Sequence, residues 1–230
     1  MKTMGLIGGM SWESSVEYYR IINEEVKNRL GGLHSAKCLL YSVDFEEVER
    51  WQAEGEWGKA GELLGDVAHS LEKGGADFIV ICTNTMHKVI ESIEKKINIP
   101  ILHIAEATAN QIKKSNLSKV GLLGTKYTME QDFYKSRIES NGIKVLVPNH
   151  TEREMVNKII YEELCLGHIQ QSSRDYYKKV IKSLVDNGAE GIILGCTEIG
   201  LLVKQEDSEV PLFDTTVIHA IESVNKALSY

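Results

Sequence analysis

The chain has 230 residues, 43% hydrophobic and 26% charged, with a formal net charge of −7. That is ordinary for a globular protein with core enough for one large domain or two small ones. The acidic balance argues against a nucleic-acid partner, which needs a basic face, and leaves an anionic ligand to local donors. No apolar run approaches the roughly 20 residues of a membrane helix, so no membrane partner is expected. The apolar span in the opening MKTMGLIGG is too short for a signal peptide, and the cytoplasm is the expected compartment. Cys38, Cys82, Cys165 and Cys196 form no CxxC pair, so a disulfide framework is not expected. The histidines show no HxxxH spacing, and no metal is expected either.

In chain order, Lys2–Ile7 reads as a first strand and Gly8-Gly9-Met10-Ser11 as a turn. A helix follows from about Ser14 to Leu30, with Val16, Tyr19, Ile22 and Val26 on one stripe. The glycines are spaced GxxGG, which fits neither a dinucleotide fingerprint nor a P-loop. Ala36–Val43 is the second strand, Asp44–Glu49 opens a polar segment, and Gly61–Lys73 is the next helix. Gly75–Thr85, GADFIVICTNT, is an apolar run bounded by Gly and small polar residues, the mark of a strand buried on both faces. A helix from about His87 to Lys96 and a short strand at Ile101–His103 complete this half.

At Ser118 the pattern restarts. Lys119–Thr125 echoes Thr3–Gly9, and a helix over Met129–Glu139 leads to a strand at Lys144–Val147. Helices over Glu152–Cys165 and Ser172–Asn187 precede Gly188–Glu198, GAEGIILGCTE, which repeats the earlier strand 113 positions on without a gap. Gly75-Ala76-Asp77 meets Gly188-Ala189-Glu190, and Thr83, Asn84 and Thr85 meet Cys196, Thr197 and Glu198. Pro211–Asp214 mirrors Pro100–His103. The alternation predicts an α/β fold in two related halves, each a parallel sheet flanked by helices, duplicated within one chain. Ligands of such sheets bind beyond the carboxyl ends of the strands, where the repeated segment puts its polar residues.

Cys196 follows Gly195 at the start of an expected helix, where unpaired N–H groups favour the thiolate; the alternative is a small core residue. Thr83 supplies a hydroxyl that donates and accepts hydrogen bonds, or caps the next helix. Cys82 points to the opposite side of the strand if the chain stays extended. Asn84, Thr85, Thr197 and Thr125 sit at turns suited to holding a carboxylate, or simply to capping. His87 lies one helical turn beyond Thr83 and is expected to be solvated or capping. Met10, Trp12 and Trp51 are expected to pack, and Gln52 to lie in a segment able to fold over the site.

GGMSWES at Gly8–Ser14, LGGLHSA at Leu30–Ala36, NTMH at Asn84–His87 and GCTEI at Gly195–Ile199 resemble the cofactor-independent aspartate/glutamate racemase family. The resemblance implies two pseudo-symmetric α/β domains, here 1–98 plus 211–230 and 99–210, with the active site at their interface. In that family a cysteine from each half flanks the substrate α-carbon, one as thiolate base and one as thiol acid. By this pattern Cys196 is the second-half cysteine and Thr83 stands where the first should be, as in an atypical bacterial branch specific for L-aspartate and L-glutamate. The resemblance further implies substrate contacts from Met10, Gln52, Asn84, Thr85, Thr197 and Glu198, no cofactor, a small amino-acid substrate and a homodimer. The activity it implies is an isomerase's, by proton abstraction at the α-carbon. Single-cysteine decarboxylases or cis-trans isomerases of small diacids, and an amino-acid-binding protein without catalysis, are the alternatives. Lys126, Arg50 and Arg153 are candidates for the distal carboxylate by charge alone.

Overall fold

The computed structural model describes residues 1–229, which divide into two units: Met1–His103 with the segment from His219 onward, and Ile104–Ile218. The first unit contains β1 (Met4–Gly8), α1 (Trp12–Leu30), β2 (Cys38–Ser42), α2 (Phe45–Glu54), α3 (Trp57–Lys73), β3 (Phe78–Ile81), α4 (Ile90–Glu94) and β4 (Ile101–Leu102). A 3₁₀ segment, Thr85–Val89, joins β3 to α4. The sheet order is β2-β1-β3-β4, all parallel. Period-2 alternation divides its core between two faces. Ile7, Ile79 and Ile81 pack with Val48 of α2 and Leu64 of α3, while Leu6, Phe78 and Val80 pack with Tyr18 and Ile22 of α1.

The second unit contains α5 (Ile104–Lys114), β5 (Lys119–Gly124), α6 (Lys126–Glu130), α7 (Asp132–Glu139), β6 (Lys144–Leu146), α8 (His150–Glu162), α9 (Gln171–Asp186), β7 (Ile192–Gly195), α10 (Ile199–Leu202) and β8 (Leu212–Asp214). Its order, β6-β5-β7-β8, is that of the first sheet strand for strand, again parallel. The α/β fold with two similar parallel sheets is therefore as the sequence repeat implies. The last helix, α11 (Thr215–Leu228), places Ala220, Val224 and Ala227 against Met4, Leu6 and Tyr18 in the first unit. The expected boundaries after 98 and 210 fall at 103 and 218, because β4 pairs with β3 and β8 with β7.

The repeated Gly-Ala-acid triplet has a structural purpose. Gly75 and Gly188 leave their helices at φ 96° and 92°, a region most side chains avoid. The acidic residue then clamps the start of the first strand of its own unit. The Asp77 carboxylate accepts the Thr3 N–H at 2.6 Å, and that of Glu190 accepts those of Ser118 at 2.7 Å and Lys119 at 3.0 Å.

Three local expectations change. The polar segment after β2 is a helix, α2, capped by the Asp44 side chain. The helix expected over Met129–Glu139 breaks at Gln131, which is extended at φ −91°, ψ 154°. On α1, Ile22 and Val26 are buried as expected, but the stripe runs through Ser14, Ser15 and Tyr18. Val16 and Tyr19 are 51% and 52% exposed, beside Trp12 at 64%. The cause is the preceding turn: Ser15 Oγ accepts the Gly9 N–H at 2.8 Å, and the helix is rotated to bring that serine inward.

Candidate active site

At the carboxyl edge of the first sheet, Cys82 N–H bonds the Ile7 carbonyl at 2.9 Å and Val43 N–H bonds that of Gly8 at 3.0 Å. The ends of β1, β2 and β3 are thus level, and the loops carrying Met10, α2 and Thr83 leave from one edge. Gly9 cannot be replaced here: at φ 93° a Cβ would lie 2.2 Å from the Val43 carbonyl oxygen. The double glycine is a tight strand-to-helix turn. Met10 packs with Val48 and Met86. Gln52 is buried one turn beyond Val48 on α2, so it projects from a helix rather than a mobile loop. Thr83, Asn84 and Thr85 are all buried. Cys82 lies on the opposite face, among Phe78, Val80 and Tyr18, and burial raises its thiol far above the usual range.

His87 is neither solvated nor at the surface. It is 1% exposed, with Nδ1 2.9 Å from the Thr83 carbonyl oxygen. Its ring centroid is 4.5 Å from that of His103 and 6.1 Å from that of His219. Burial, then the two neighbouring histidines, hold it well below the ordinary histidine range; burial takes His219 down to about 4. Both are neutral at pH 7. Nothing in the sequence signals this cluster, whose members lie far apart in the chain at positions 87, 103 and 219.

At the carboxyl edge of the second sheet, β5 and β7 end level, Gly124 opposite Gly195. Cys196, Thr197 and Glu198 follow, all buried. Cys196 Sγ donates to Glu198 Oε2 at 2.9 Å, and Thr197 Oγ1 donates to the same oxygen at 2.9 Å. The expectation of a thiolate favoured by a helix N-terminus is overturned. The helix that follows, α10, has four residues, too few for a macrodipole of consequence. Burial first, and then the Glu198 charge, push the Cys196 thiol well above its usual range. The resting group is a thiol with a carboxylate oxygen in position to receive its proton.

Thr125 is a cap, its Oγ1 accepting the Thr128 N–H at 3.3 Å. Arg153 is committed elsewhere, donating to Glu130 at 2.8 Å and to the Pro148 carbonyl at 2.7 Å. Among the described residues no group of three or more His, Cys, Asp or Glu side chains is placed to hold a metal ion, and no helix is long and apolar enough to cross a membrane.

The fold is matched in known proteins. A crystal structure from Yersinia pestis, of a protein proposed to be an Asp/Glu racemase, is 59% identical and superposes over 100% of both chains with a TM-score of 0.92. An aspartate racemase homologue from Pyrococcus horikoshii OT3 is 36% identical over 100% of both chains, with a TM-score of 0.86. The broad specificity amino-acid racemase RacX of Bacillus subtilis is 30% identical over 165 residues, 72% of this chain and 71% of that protein. The Asp/Glu/hydantoin racemase family model matches residues 7–222, and the chain belongs to that family.

Proposed function

We propose that this protein is a cofactor-independent racemase of an acidic amino acid, aspartate or glutamate, that works faster from the L-enantiomer. The observation that carries the reading is the Cys196–Glu198 contact at the end of β7, at the position where the duplicate strand in the first unit ends in Thr83. In this mechanism the Cys196 proton passes to Glu198, and the thiolate takes the α-hydrogen of the bound substrate. The thiol re-forms, and the carbanion's charge spreads into the α-carboxylate. Donors at the turns of Asn84, Thr85 and Thr197 stabilise that charge where it develops. Met10 and Gln52 complete the contacts to the substrate.

Inversion requires a proton delivered to the opposite face, the role assigned to Thr83. A hydroxyl with a pKa far above that of a thiol is a poor acid and a poorer base, so the two directions are unequal. Solvent-deuterium exchange at the α-carbon, followed separately from L- and D-aspartate and L- and D-glutamate, tests the reading. Faster exchange from L is expected. Equal rates from both enantiomers would remove the asymmetric mechanism, and tight binding without exchange would favour a binding protein.

We propose also that the protein acts as a cytoplasmic homodimer. The exposed Trp12, Val16 and Tyr19 recur at helical spacing on α1, and Leu40 and Tyr41 on edge strand β2 are also exposed. The Asn23 side chain bonds Ala36 N–H from α1, placing that helix face towards the β2 edge. Apolar patches of this kind mark association surfaces. Sedimentation should give twice the chain mass, and Val16→Glu should return it to one; a monomeric wild type would refute the pairing.

A further inference from the structure

The racemase reading uses the polar turn after β3 but leaves unexplained why three histidines are buried behind it. Neutral imidazoles are costly to bury unless their nitrogens are bonded, and an apolar cluster would pack there more cheaply. The hydrogen bonds specify what each ring does. A carbonyl oxygen only accepts, so His87 Nδ1, 2.9 Å from the Thr83 carbonyl oxygen, carries the proton. His219 is fixed from both sides. Its Nε2 donates to the Leu102 carbonyl at 2.9 Å, which leaves Nδ1 to accept from the Tyr18 hydroxyl at 2.8 Å. His103, adjacent to Leu102, packs against the His87 ring, the centroids 4.5 Å apart and the planes tilted by 51°. A continuous path thus runs from α1 through α11 and β4 to the backbone of residue 83.

That backbone is where support is needed. The turn continues as a 3₁₀ segment, Thr85–Val89, whose i→i+3 bonds are weaker than those of an α-helix. The His87 ring N–H bonds the Thr83 carbonyl, two residues before that segment, and its backbone N–H bonds the Asn84 carbonyl at 3.2 Å.

We propose that the Tyr18–His219–His103–His87 stack is a positioning device that holds the Thr83 carbonyl, and through it sets the orientation of the Thr83 hydroxyl towards the substrate α-carbon. This rests on the reading in which Thr83 serves one face of that carbon and Cys196 the other. None of the four residues exchanges a proton with substrate in this scheme; they fix the geometry of the residue that does.

The test exploits the two faces. His87→Leu removes the donor, whereas His87→Asn keeps an amide N–H close to where Nδ1 lies. With aspartate or glutamate enantiomers in deuterated solvent, His87→Leu should slow exchange of the Thr83-facing enantiomer ~10-fold or more, since small misplacements of a reacting group cost rates of this order. Exchange of the Cys196-facing enantiomer, which depends on that turn only through the carboxylate donors of Asn84 and Thr85, should fall at least several-fold less, and His87→Asn should restore most of the loss. Equal slowing of both enantiomers would reduce the stack to a purely structural role, and an unchanged His87→Leu would overturn the proposal outright. Should wild-type protein exchange neither enantiomer, the racemase reading fails by itself and the stack is still tested by backbone NMR. His87→Leu must then shift the amide resonances of Thr83–Met86 and His87→Asn must not; unshifted resonances in His87→Leu overturn it. If His87→Leu does not fold, His87→Gln, which displaces the donor by one bond, takes its place in both measurements.

Discussion

The ends of β3 and β7 occupy matching places in matching sheets, yet they are supported in different ways. Each strand leaves a left-handed glycine, Gly75 or Gly188, and each is preceded by an acidic side chain that clamps the neighbouring strand. Beyond the strand the likeness stops. After β7 a carboxylate contacts the sulfur directly, Glu198 Oε2 at 2.9 Å from Cys196 Sγ. After β3 the corresponding residue is Thr85, and His87, two residues further on, bonds a backbone carbonyl instead. The repeat has kept the scaffold and let the contacts diverge: under the proposed mechanism, one turn moves a proton and the other holds a shape.

Four measurements would break or sharpen that contrast. The largest effect belongs to Cys196→Ser, which should lower α-carbon exchange ~10³-fold or more by removing the only acidic nucleophile of the pair. Retention of near-wild-type exchange, read by loss of the α-proton NMR signal, would move the chemistry off β7. Glu198→Gln keeps size and hydrogen bonding but cannot take a proton, and exchange should fall ~10²-fold. Because the Glu198 charge helps to raise the thiol, the same variant should lower the Cys196 pKa, seen as thiolate absorbance appearing at lower pH. Unfolding would also lower the thiol, since burial is the main cause of its rise, so the variant's far-UV spectrum and unfolding midpoint must stay those of wild type for the combination to report lost proton transfer.

Acid stability is the third measurement. His219 is neutral and buried with its pKa lowered from 6.5 to about 4. Above pH 6.5 neither the folded nor the unfolded imidazole is charged. As pH falls from 6.5 towards 4, only the unfolded chain binds the proton, and folding loses stability by about 1.4 kcal/mol per pH unit, roughly 3 kcal/mol in all. His87 shifts in the same direction. In the second unit Asp214 is raised by burial, and its sign is opposite: acid favours its folded form. Protection of the Ile79–Ile81 amides, taken relative to intrinsic exchange at each pH, should therefore fall before that of Ile192–Leu194 as pH falls from 7 to 5, and His219→Gln should flatten the difference. The smallest effect is expected of Thr83→Cys, which should narrow the gap between the two enantiomers by roughly tenfold. An unchanged ratio would remove Thr83 from the reaction.

The architecture was legible because it is written twice. The gapless match of Gly75–Thr85 to Gly188–Glu198 located both central strands, and the alternation of strands and helices gave parallel sheets. Element boundaries inside the halves were less legible where tertiary contacts override pattern. Val16 and Tyr19 look like one apolar stripe with Ile22, but a single hydrogen bond from Gly9 to Ser15 turns them outward. The candidate residues Cys196 and Glu198 were readable as types in a motif, whereas the state of the thiol was not. That state depends on burial and on a side-chain contact two residues away. The histidine stack was illegible altogether, since its members meet only after α11 packs onto the first sheet.

The protonated sulfur has one more consequence. Cys196 and Cys82 are buried, while Cys38 and Cys165 are half-buried. Alkylating and oxidising agents attack thiolates, so on the folded protein they should reach the two partly accessible thiols before the two buried ones. Under the proposed mechanism, reagent uptake is then a poor count of active molecules, because the thiol assigned to the reaction is kept protonated by burial.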